Sequence, residues 1–239
     1  MSPYRAIFFD AGFTLLEMHP SWTELFLQVT RSHGLAFTSA DVARADAAAQ
    51  VFFDSHYYQP NETWADDAAI TAFWLEYYRI GLCALACPQE LLETCAQDLT
   101  DLLNQGTAWR AYVEAPAVLA GLKSAGYTIG ILSDWGTSLP HILEATGLRP
   151  YTDFLVVSAL EGVAKPRPAF FQRALDRAGV LPDQALMVGD NPYADIQGAA
   201  GVGITGVLID REGRNHIAGI PAIRRLNELV PYLDEALNA

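Results

Sequence analysis

The sequence predicts an α/β fold built on a parallel sheet, with a block of helices inserted near the N-terminus. Two patterns carry this prediction. An apolar segment, Ala6–Phe9, has the composition of a buried strand and ends on Asp10, where a turn of small residues begins. From about residue 115 onwards, β-favouring segments alternate with helical patterns, as expected of right-handed βαβ units. Units of this kind build a Rossmann-like parallel sheet.

The inserted block extends from residue 20 to about residue 105 and has no strand-like alternation. We expect four helices, over residues 20–33, 39–53, 63–78 and 88–104. Thr38 or Ser39 would cap the second of them, and Asn61 or Thr63 the third. We therefore expect two parts: a Rossmann-like core of residues 1–14 and 113–239, and an all-helical cap of residues 15–112 over one end of the core.

The remaining elements follow in order along the C-terminal half. Glycine or proline punctuates most of them, and proline occupies the first position of the helix that starts at residue 168. The predicted strands are 128–132, 154–158, 185–188 and 205–209. The predicted helices are 115–125, 139–146, 168–178, 194–200 and 226–237.

Composition limits the class of protein. Of the 239 residues, 51% are hydrophobic and 18% are charged, as in globular proteins. A formal net charge of −13 without a basic cluster disfavours nucleic-acid binding, because phosphates would be repelled. No apolar segment reaches the roughly 18 residues of a membrane span, and we expect no signal peptide. Three cysteines without a CxxC pair are expected to be reduced, which favours a cytoplasmic protein.

Polar residues follow three of the predicted strands: Asp10, Ser133-Asp134, and the segment from Asp190 to Asp195. Because the carboxyl ends of parallel strands meet at one edge of a sheet, we expect these residues to share a cleft that Lys165 can also reach. Clustered carboxylates repel each other unless they are protonated or bridged by a cation, and Mg²⁺ suits such a site. Ser133 and Lys165 would bind phosphate oxygens, which leaves Asp10 as an in-line nucleophile.

In this order, the motifs resemble those of the haloacid dehalogenase-like (HAD) superfamily. They are DAGFT at residues 10–14 (DxDxT in the family), ILSD with Ser133, KPRP with Lys165, and GDNPYAD at residues 189–195. The resemblance covers the whole chain, with the helical block in the place of the family's α-helical cap. It implies a hydrolase that acts on a small-molecule substrate.

The resemblance also implies a role for each site residue. Asp10 would be the nucleophile, and Ser133 and Lys165 would hold the transferring group. The implied Mg²⁺ site consists of Asp10, the carbonyl of Gly12, Asp190 and Asp195, the last of these in a supporting role.

One position departs from the family pattern. The phosphatases of the family have a second aspartate two residues after the nucleophile, which protonates the leaving oxygen and later deprotonates the attacking water. This chain has Gly12 there. Glycine offers a carbonyl to a metal but cannot transfer a proton, and loss of a positioned acid/base typically costs about 10²–10⁴ in rate. We therefore expect an Mg²⁺-dependent phosphatase that is slow.

Two other branches of the family lack that aspartate. The phosphonate-cleaving branch needs a lysine in the cap, whereas both lysines of this chain, Lys123 and Lys165, lie in the expected core. Dehalogenases need no proton for halide departure, but their fourth motif does not bind a metal, whereas Asp190 is present here. A dehalogenase would also need a cap arginine, for which the candidates are Arg31, Arg44 and Arg79.

Further possibilities concern the missing proton carrier. Glu17 or His19, which follow the first motif, could replace it, although we favour solvated positions for both. A leaving group that needs little protonation, as in an acyl or aryl phosphate, would help only the first half-reaction. The competing class is a non-catalytic protein that binds a phosphorylated ligand or Mg²⁺ without turnover.

Aromatic residues are abundant in the expected cap. Their helical spacing indicates that most pack inside it and that one or two line the substrate side. They are Trp22, Tyr57, Tyr58, Trp64, Trp74, Tyr77 and Tyr78. A closing cap implies a small, diffusible substrate.

Overall fold

The computed structural model describes residues 3–57, 63–213, 217 and 219–238. The strands among these residues are β1 (Ala6–Phe9), β2 (Leu16–Met18), β3 (Trp109–Ala111), β4 (Thr128–Ser133), β5 (Phe154–Val157), β6 (Ala185–Gly189), β7 (Thr205–Ile209) and β8 (Ala222–Ile223). The α-helices are α1 (Trp22–Ser32), α2 (Ser39–Tyr57), α3 (Asp67–Ala84), α4 (Gln89–Leu103), α5 (Ala115–Ser124), α6 (Leu139–Ala145), α7 (Ser158–Glu161), α8 (Pro168–Ala178), α9 (Gly198–Ala200) and α10 (Leu229–Asn238).

Strand β1 lies at the centre of a six-stranded parallel sheet with the strand order β5-β4-β1-β6-β7-β8. All four of its residues are fully buried. Ile7 and Phe9 pack into one core cluster, and Ala6 and Phe8 pack into another, because successive side chains of a strand point to opposite faces. Burial on both faces explains the uninterrupted apolar run in the sequence. The predicted α/β fold with a Rossmann-like sheet is thus confirmed.

The elements of the C-terminal half agree closely with the prediction, with two differences. The helix predicted from residue 194 begins as a π-helix over Pro192–Gln197, and α10 begins at Leu229 after a 3₁₀ turn. The short elements α7 and β8 were not predicted, because two to four residues are too few for a periodic pattern.

The start of the third helix differs from the prediction. Helix α3 begins at Asp67, and its N-cap is Asp66, whose carboxylate accepts a hydrogen bond of 2.9 Å from the Ala69 N–H. Thr63, one of the two predicted caps, begins a separate 3₁₀ turn instead. Several neighbouring side chains could accept the capping hydrogen bond, and the sequence alone did not show which of them would do so. Asn61 and Tyr58 lie outside the described residues.

An antiparallel ribbon joins the helical block to the sheet. Strand β2 pairs with β3 in a register that places Leu16 opposite Ala111 and Met18 opposite Trp109. The chain therefore leaves the sheet through β2 and returns to it through β3, side by side. This ribbon was not predicted from the sequence, because each of its strands has only three residues.

Helices α1–α4 pack around their own apolar cluster, which includes Phe26, Leu82 and Leu99. A second cluster contains Trp64 and Phe73 of the block together with Ala164, the neighbour of Lys165. The helical block therefore contacts the rest of the chain next to Lys165. Among the described helices, none is both long and apolar enough to cross a membrane.

Candidate active site

The register of the parallel sheet brings the strand-end motifs to one edge. Phe9, the last residue of β1, is opposite Ile131 of β4 and Val188 of β6. The backbone N–H of Asp10 also donates to the Val188 carbonyl, at 2.9 Å. Residues just beyond these three strands therefore emerge at the same level, at the carboxyl edge where α/β proteins bind ligands.

Asp10 and Lys165 form the centre of this site. Asp10 Oδ1 accepts hydrogen bonds from Lys165 Nζ at 2.7 Å and from Ser133 Oγ at 3.1 Å. All three residues are buried. Oδ2 of Asp10 accepts no hydrogen bond from any described residue. Asp10 therefore has one oxygen fixed by donors and one oxygen available for chemistry.

Asp195 holds the lysine from the other side. Its Oδ1 accepts from Lys165 Nζ at 2.6 Å, and its Oδ2 accepts from the Asn191 N–H at 3.0 Å. The carboxylate packs so close to Gly189 that a Cβ at position 189 would overlap it, so glycine is required there. Since both of its oxygens are engaged, Asp195 fixes Lys165 and supports the cluster rather than offering a free oxygen.

Asp190 lies beside the nucleophile. Its Oδ1 accepts a hydrogen bond from Thr14 Oγ1 at 3.3 Å. Burial, followed by repulsion from the carboxylates of Asp10 and Asp195, raises the pKa of Asp190 well above its ordinary value. Gathering these carboxylates therefore costs free energy, and a bound cation would offset that cost.

Neighbouring carboxylates stabilise the positive charge on Lys165. Burial alone would lower the pKa of the lysine, but Asp10, Asp195 and Asp134 outweigh that effect and raise it well above its ordinary value. Lys165 is thus a buried ammonium at neutral pH. Asp134 accepts a hydrogen bond from the Lys165 backbone N–H at 2.9 Å, and burial raises the pKa of its carboxyl to about 7.

The donor set fits a hard divalent cation. Carboxylate oxygens of Asp10, Asp190 and Asp195 lie within 4.8 Å of one another. Oxygen ligands in a carboxylate-rich pocket suit Mg²⁺, which binds through one or two carboxylates and keeps several waters. Asp10 and Asp190 each have an oxygen that accepts no hydrogen bond from the described residues, whereas both oxygens of Asp195 accept one.

Gly12 lies under an aromatic ring. A Cβ built on Gly12 would come within 3.2 Å of Cζ3 of Trp135, and the backbone of Gly12 is not in the left-handed region. The nearby indole, rather than the backbone conformation, therefore restricts this position. Gly12 was recognisable in the sequence but its neighbour Trp135 was not, because residues 12 and 135 meet only through the pairing of β1 with β4.

One aromatic residue of the helical block reaches the site. The hydroxyl of Tyr57, the last residue of α2, accepts a hydrogen bond of 3.0 Å from Asn191 Nδ2. Its ring stacks on Phe53, with ring centres 5.0 Å apart. Burial, followed by the negative charge of Asp134, raises the pKa of Tyr57 well above its ordinary value. Tyr57 is thus an aromatic residue of the block that the structure places near the carboxylate cluster.

Glu17, which was considered as a replacement for the missing proton carrier, is paired with an arginine away from Asp10. It lies in β2, where its carboxylate accepts a hydrogen bond of 2.8 Å from Arg110 Nε across the ribbon. His19 follows the same strand, and its backbone N–H donates to the Ala108 carbonyl. Glu17 therefore stabilises the ribbon and is not hydrogen-bonded to Asp10.

The central strand of a parallel sheet thus delivers a carboxylate to a buried lysine and a hydroxyl, an arrangement suited to a hydrolase. The family model for haloacid dehalogenase-like hydrolases matches residues 4–203, and the chain belongs to that family.

Similar proteins include both phosphatases and dehalogenases. Haloacid dehalogenase-like hydrolase domain-containing protein 3 of Danio rerio is 28% identical over 95% of this chain and 94% of its own length. A phosphoserine phosphatase of Thermus thermophilus is 30% identical, over 87% and 89%. A solved dehalogenase in complex with an intermediate superimposes with a TM-score of 0.71 at 25% identity, over 97% of this chain and 98% of that one.

Proposed function

We propose that this chain is an Mg²⁺-dependent phosphatase that hydrolyses a small phosphorylated metabolite through an aspartyl-phosphate on Asp10. The observation that carries the proposal is the pair of bonds from Lys165 and Ser133 to a single oxygen of Asp10. They leave the second oxygen free beside the carboxylates of Asp190 and Asp195. The phosphatase among the similar proteins supports the same reading.

The first half-reaction transfers the phosphoryl group to the protein. The free oxygen of Asp10 attacks phosphorus; a bond forms between them, while the bond from phosphorus to the leaving oxygen breaks and that oxygen keeps the electron pair. With substrate bound, Lys165 would direct an N–H, and Ser133 would redirect its O–H from Asp10, to the oxygens of the group and so orient it. In the second half-reaction, water attacks phosphorus, the bond to Asp10 breaks, and inorganic phosphate leaves.

Mg²⁺, when bound, would neutralise charge between the phosphoryl oxygens and the aspartates. Asp190 and the carbonyl of Gly12 would hold it, together with Asp10 through the carboxylate oxygen that does not attack phosphorus. Asp195 would act on the same site through Lys165, which it positions at 2.6 Å. The proton that the leaving oxygen requires has no donor at position 12, so substrates with a weakly basic leaving group are favoured and turnover is slow.

The surroundings of the cap arginines favour this function over dehalogenation. Arg44 is paired with Asp41, and Arg79 donates to Glu76 and Glu93, all on the surface of the helical block. Arg31 is exposed. A haloacid carboxylate would need one of these arginines at the site. The closely spaced oxygens of Asp10 and Asp190 also suit a metal, which dehalogenation does not require.

We further propose that residues 15–112 act as a cap that encloses a small substrate, in a protein of the cytoplasm without nucleic-acid or membrane partners. The contact between Tyr57 and Asn191 supports the role of the cap, since it connects the helical block with the fourth motif directly.

The test is phosphate release from acetyl phosphate and p-nitrophenyl phosphate with Mg²⁺. Wild type is compared with Asp10→Asn and with Asp176→Asn, a matched change at an exposed aspartate of α8 that accepts a hydrogen bond from the side chain of Gln172 in the same helix. We expect activity in wild type and Asp176→Asn and none in Asp10→Asn. Activity in Asp10→Asn would contradict an aspartyl-phosphate. Tight binding of phosphorylated ligands without release would favour the non-catalytic class, and halide release from a haloacid would favour dehalogenation.

A further inference from the structure

Arg211 lies just beyond β7, in the core, and contacts both segments that connect the core with the helical block. Its Nε donates to the carbonyl of Phe13 at 3.1 Å, and its Nη2 donates to the carbonyl of Thr14 at 2.7 Å. Both carbonyls belong to the segment that leaves the sheet. The guanidinium therefore hydrogen-bonds to the backbone of the outgoing segment at two successive residues.

The same side chain also binds the returning segment. Its Nη1 donates to Glu114 Oε1 at 2.8 Å, and its Cζ lies 3.3 Å from the ring centre of Tyr112. The side chains of Arg211 and Glu114 are only 17% and 18% exposed, so solvent screens the pair less than an ordinary surface ion pair. Burial acts to raise the pKa of Glu114, but the hydrogen bond and charge of Arg211, together with backbone hydrogen bonds, outweigh burial and the net shift is downward.

This geometry needs an arginine. Three nitrogens of one planar group donate at once, two to carbonyls on one side and one to a carboxylate on the other, while the face of the group stacks on a tyrosine. A lysine ammonium has no planar face and cannot span these acceptors in the same way.

The outgoing segment is also part of the active site. Phe13 has a φ of 55°, in the left-handed region that a residue with a side chain rarely adopts. Thr14, the next residue, donates to Asp190. The turn that follows Asp10 is therefore held at one end by the sheet and at the other end by Arg211.

We propose that Arg211 is a positioning residue. It acts as a clamp that fixes both segments of the hinge, residues 12–18 and 109–114, to the core. It thereby holds the turn after Asp10 in its working conformation. Arg211 touches none of the proposed reacting atoms, and its effect on them passes through the backbone of Phe13 and Thr14. The clamp is independent of the proposed phosphatase reaction, and only the kinetic part of its test relies on that function.

The test is hydrogen–deuterium exchange of the full chain in Arg211→Lys and Arg211→Met. Arg173→Met is the matched control, because Arg173 forms a comparable partly buried pair with Glu161 away from the hinge. We expect roughly tenfold faster exchange in residues 12–18 and 109–114 of both Arg211 variants, with unchanged exchange in β4 and β6. Wild-type exchange in the hinge, or a change equal to that of Arg173→Met, would overturn the clamp.

A milder variant, Glu114→Gln, removes only the charge on the returning side and should accelerate exchange in residues 109–114 but not in 12–18. Acceleration in both segments, or in neither, would contradict the division of contacts described here. If wild type releases phosphate, kcat should fall about tenfold in Arg211→Lys with little change in KM, because the turn and not the binding groups is disturbed. If wild type releases no phosphate, the proposed phosphatase function is contradicted. The exchange data still test the role of Arg211 in that case.

Discussion

Trp135 and Gly12 form a matched pair: the indole Cζ3 lies 3.2 Å from the point that a Cβ at position 12 would occupy. The indole is itself fixed, since its Nε1 donates to Ser138 Oγ at 3.2 Å and its ring meets Trp109 edge to face at 4.8 Å. The place where phosphatases of this family have their acid/base residue is therefore crowded by an aromatic ring. A residue without a side chain at position 12 thus fits against the indole of Trp135.

An aspartate introduced at position 12 should consequently function better when the indole of Trp135 is removed. We expect Gly12→Asp alone to lower the free energy of unfolding by about 1–3 kcal/mol, as overpacking does, and to leave phosphate release slow. The double variant Gly12→Asp/Trp135→Ala gives the carboxylate room and should release phosphate at least about tenfold faster than Gly12→Asp. Denaturant unfolding and phosphate release of both single variants and the double variant measure this coupling. Equal rates in Gly12→Asp and the double variant would show that the indole is no obstacle.

The stability of the metal-free protein should fall as pH rises through the range in which Asp134 ionises. Its pKa is about 7 in the folded chain against an ordinary value of 3.8, so the folded state binds more protons between about pH 4 and pH 7. We expect Asp134→Asn, which keeps an oxygen for the Lys165 N–H, to flatten this decline and to be the more stable form at pH 8 in EDTA. Thermal unfolding at several pH values measures the effect.

Asp153→Asn is the control for that measurement and should have the opposite sign. The Ile129 N–H and Lys123 hold the pKa of Asp153 below its ordinary value in spite of burial, so its ionised form stabilises the fold above about pH 4. A pH dependence that is unchanged in Asp134→Asn would contradict the assignment.

Mg²⁺ should stabilise the protein in a manner that depends on Asp190. At an Mg²⁺ concentration about 100 times its dissociation constant, the expected gain is about 2.7 kcal/mol. The gain should be larger at pH 8 than at pH 5, since the ligands must be ionised. Asp190→Asn should abolish most of it and should raise stability in EDTA, because it removes a buried charge that Asp10 and Asp195 repel. Thermal unfolding with and without Mg²⁺ tests this, and full stabilisation of Asp190→Asn would rule out the proposed site.

Tyr57→Phe should weaken closure of the cap while its ring remains in place. Phenylalanine keeps the stacking on Phe53 but loses the oxygen that accepts from Asn191 Nδ2. Loss of one such hydrogen bond is worth about 1 kcal/mol, so KM should rise roughly fivefold with a smaller change in kcat. Tyr77→Phe, within the helical block, is the control and should leave KM unchanged. An unaltered KM in Tyr57→Phe would place Tyr57 outside substrate binding.

The sequence by itself determined the sheet and the positions of its motifs. Strand β1 is apolar at every position because both of its faces are buried, and this makes the central strand visible from four residues. Once the strands are placed, parallel pairing sends their carboxyl ends to one edge, and Asp10, Ser133 and Asp190 must converge there. The family motifs then indicated Lys165 and Asp195, which the structure brings within hydrogen-bond distance of each other.

The tertiary structure alone decided which distant side chains meet around that edge. Tyr57 bonds to Asn191 across 134 residues, and Arg211 bonds to Phe13 across 198, so neither contact leaves a periodic trace in the sequence. The ribbon of β2 and β3 was equally invisible, because three residues are shorter than any repeat that could identify them. Sequence periodicity reports which face of a local element is buried. What packs against that face depends on how whole elements come together, and this is why Trp135 over Gly12 and the clamp at Arg211 required the folded chain.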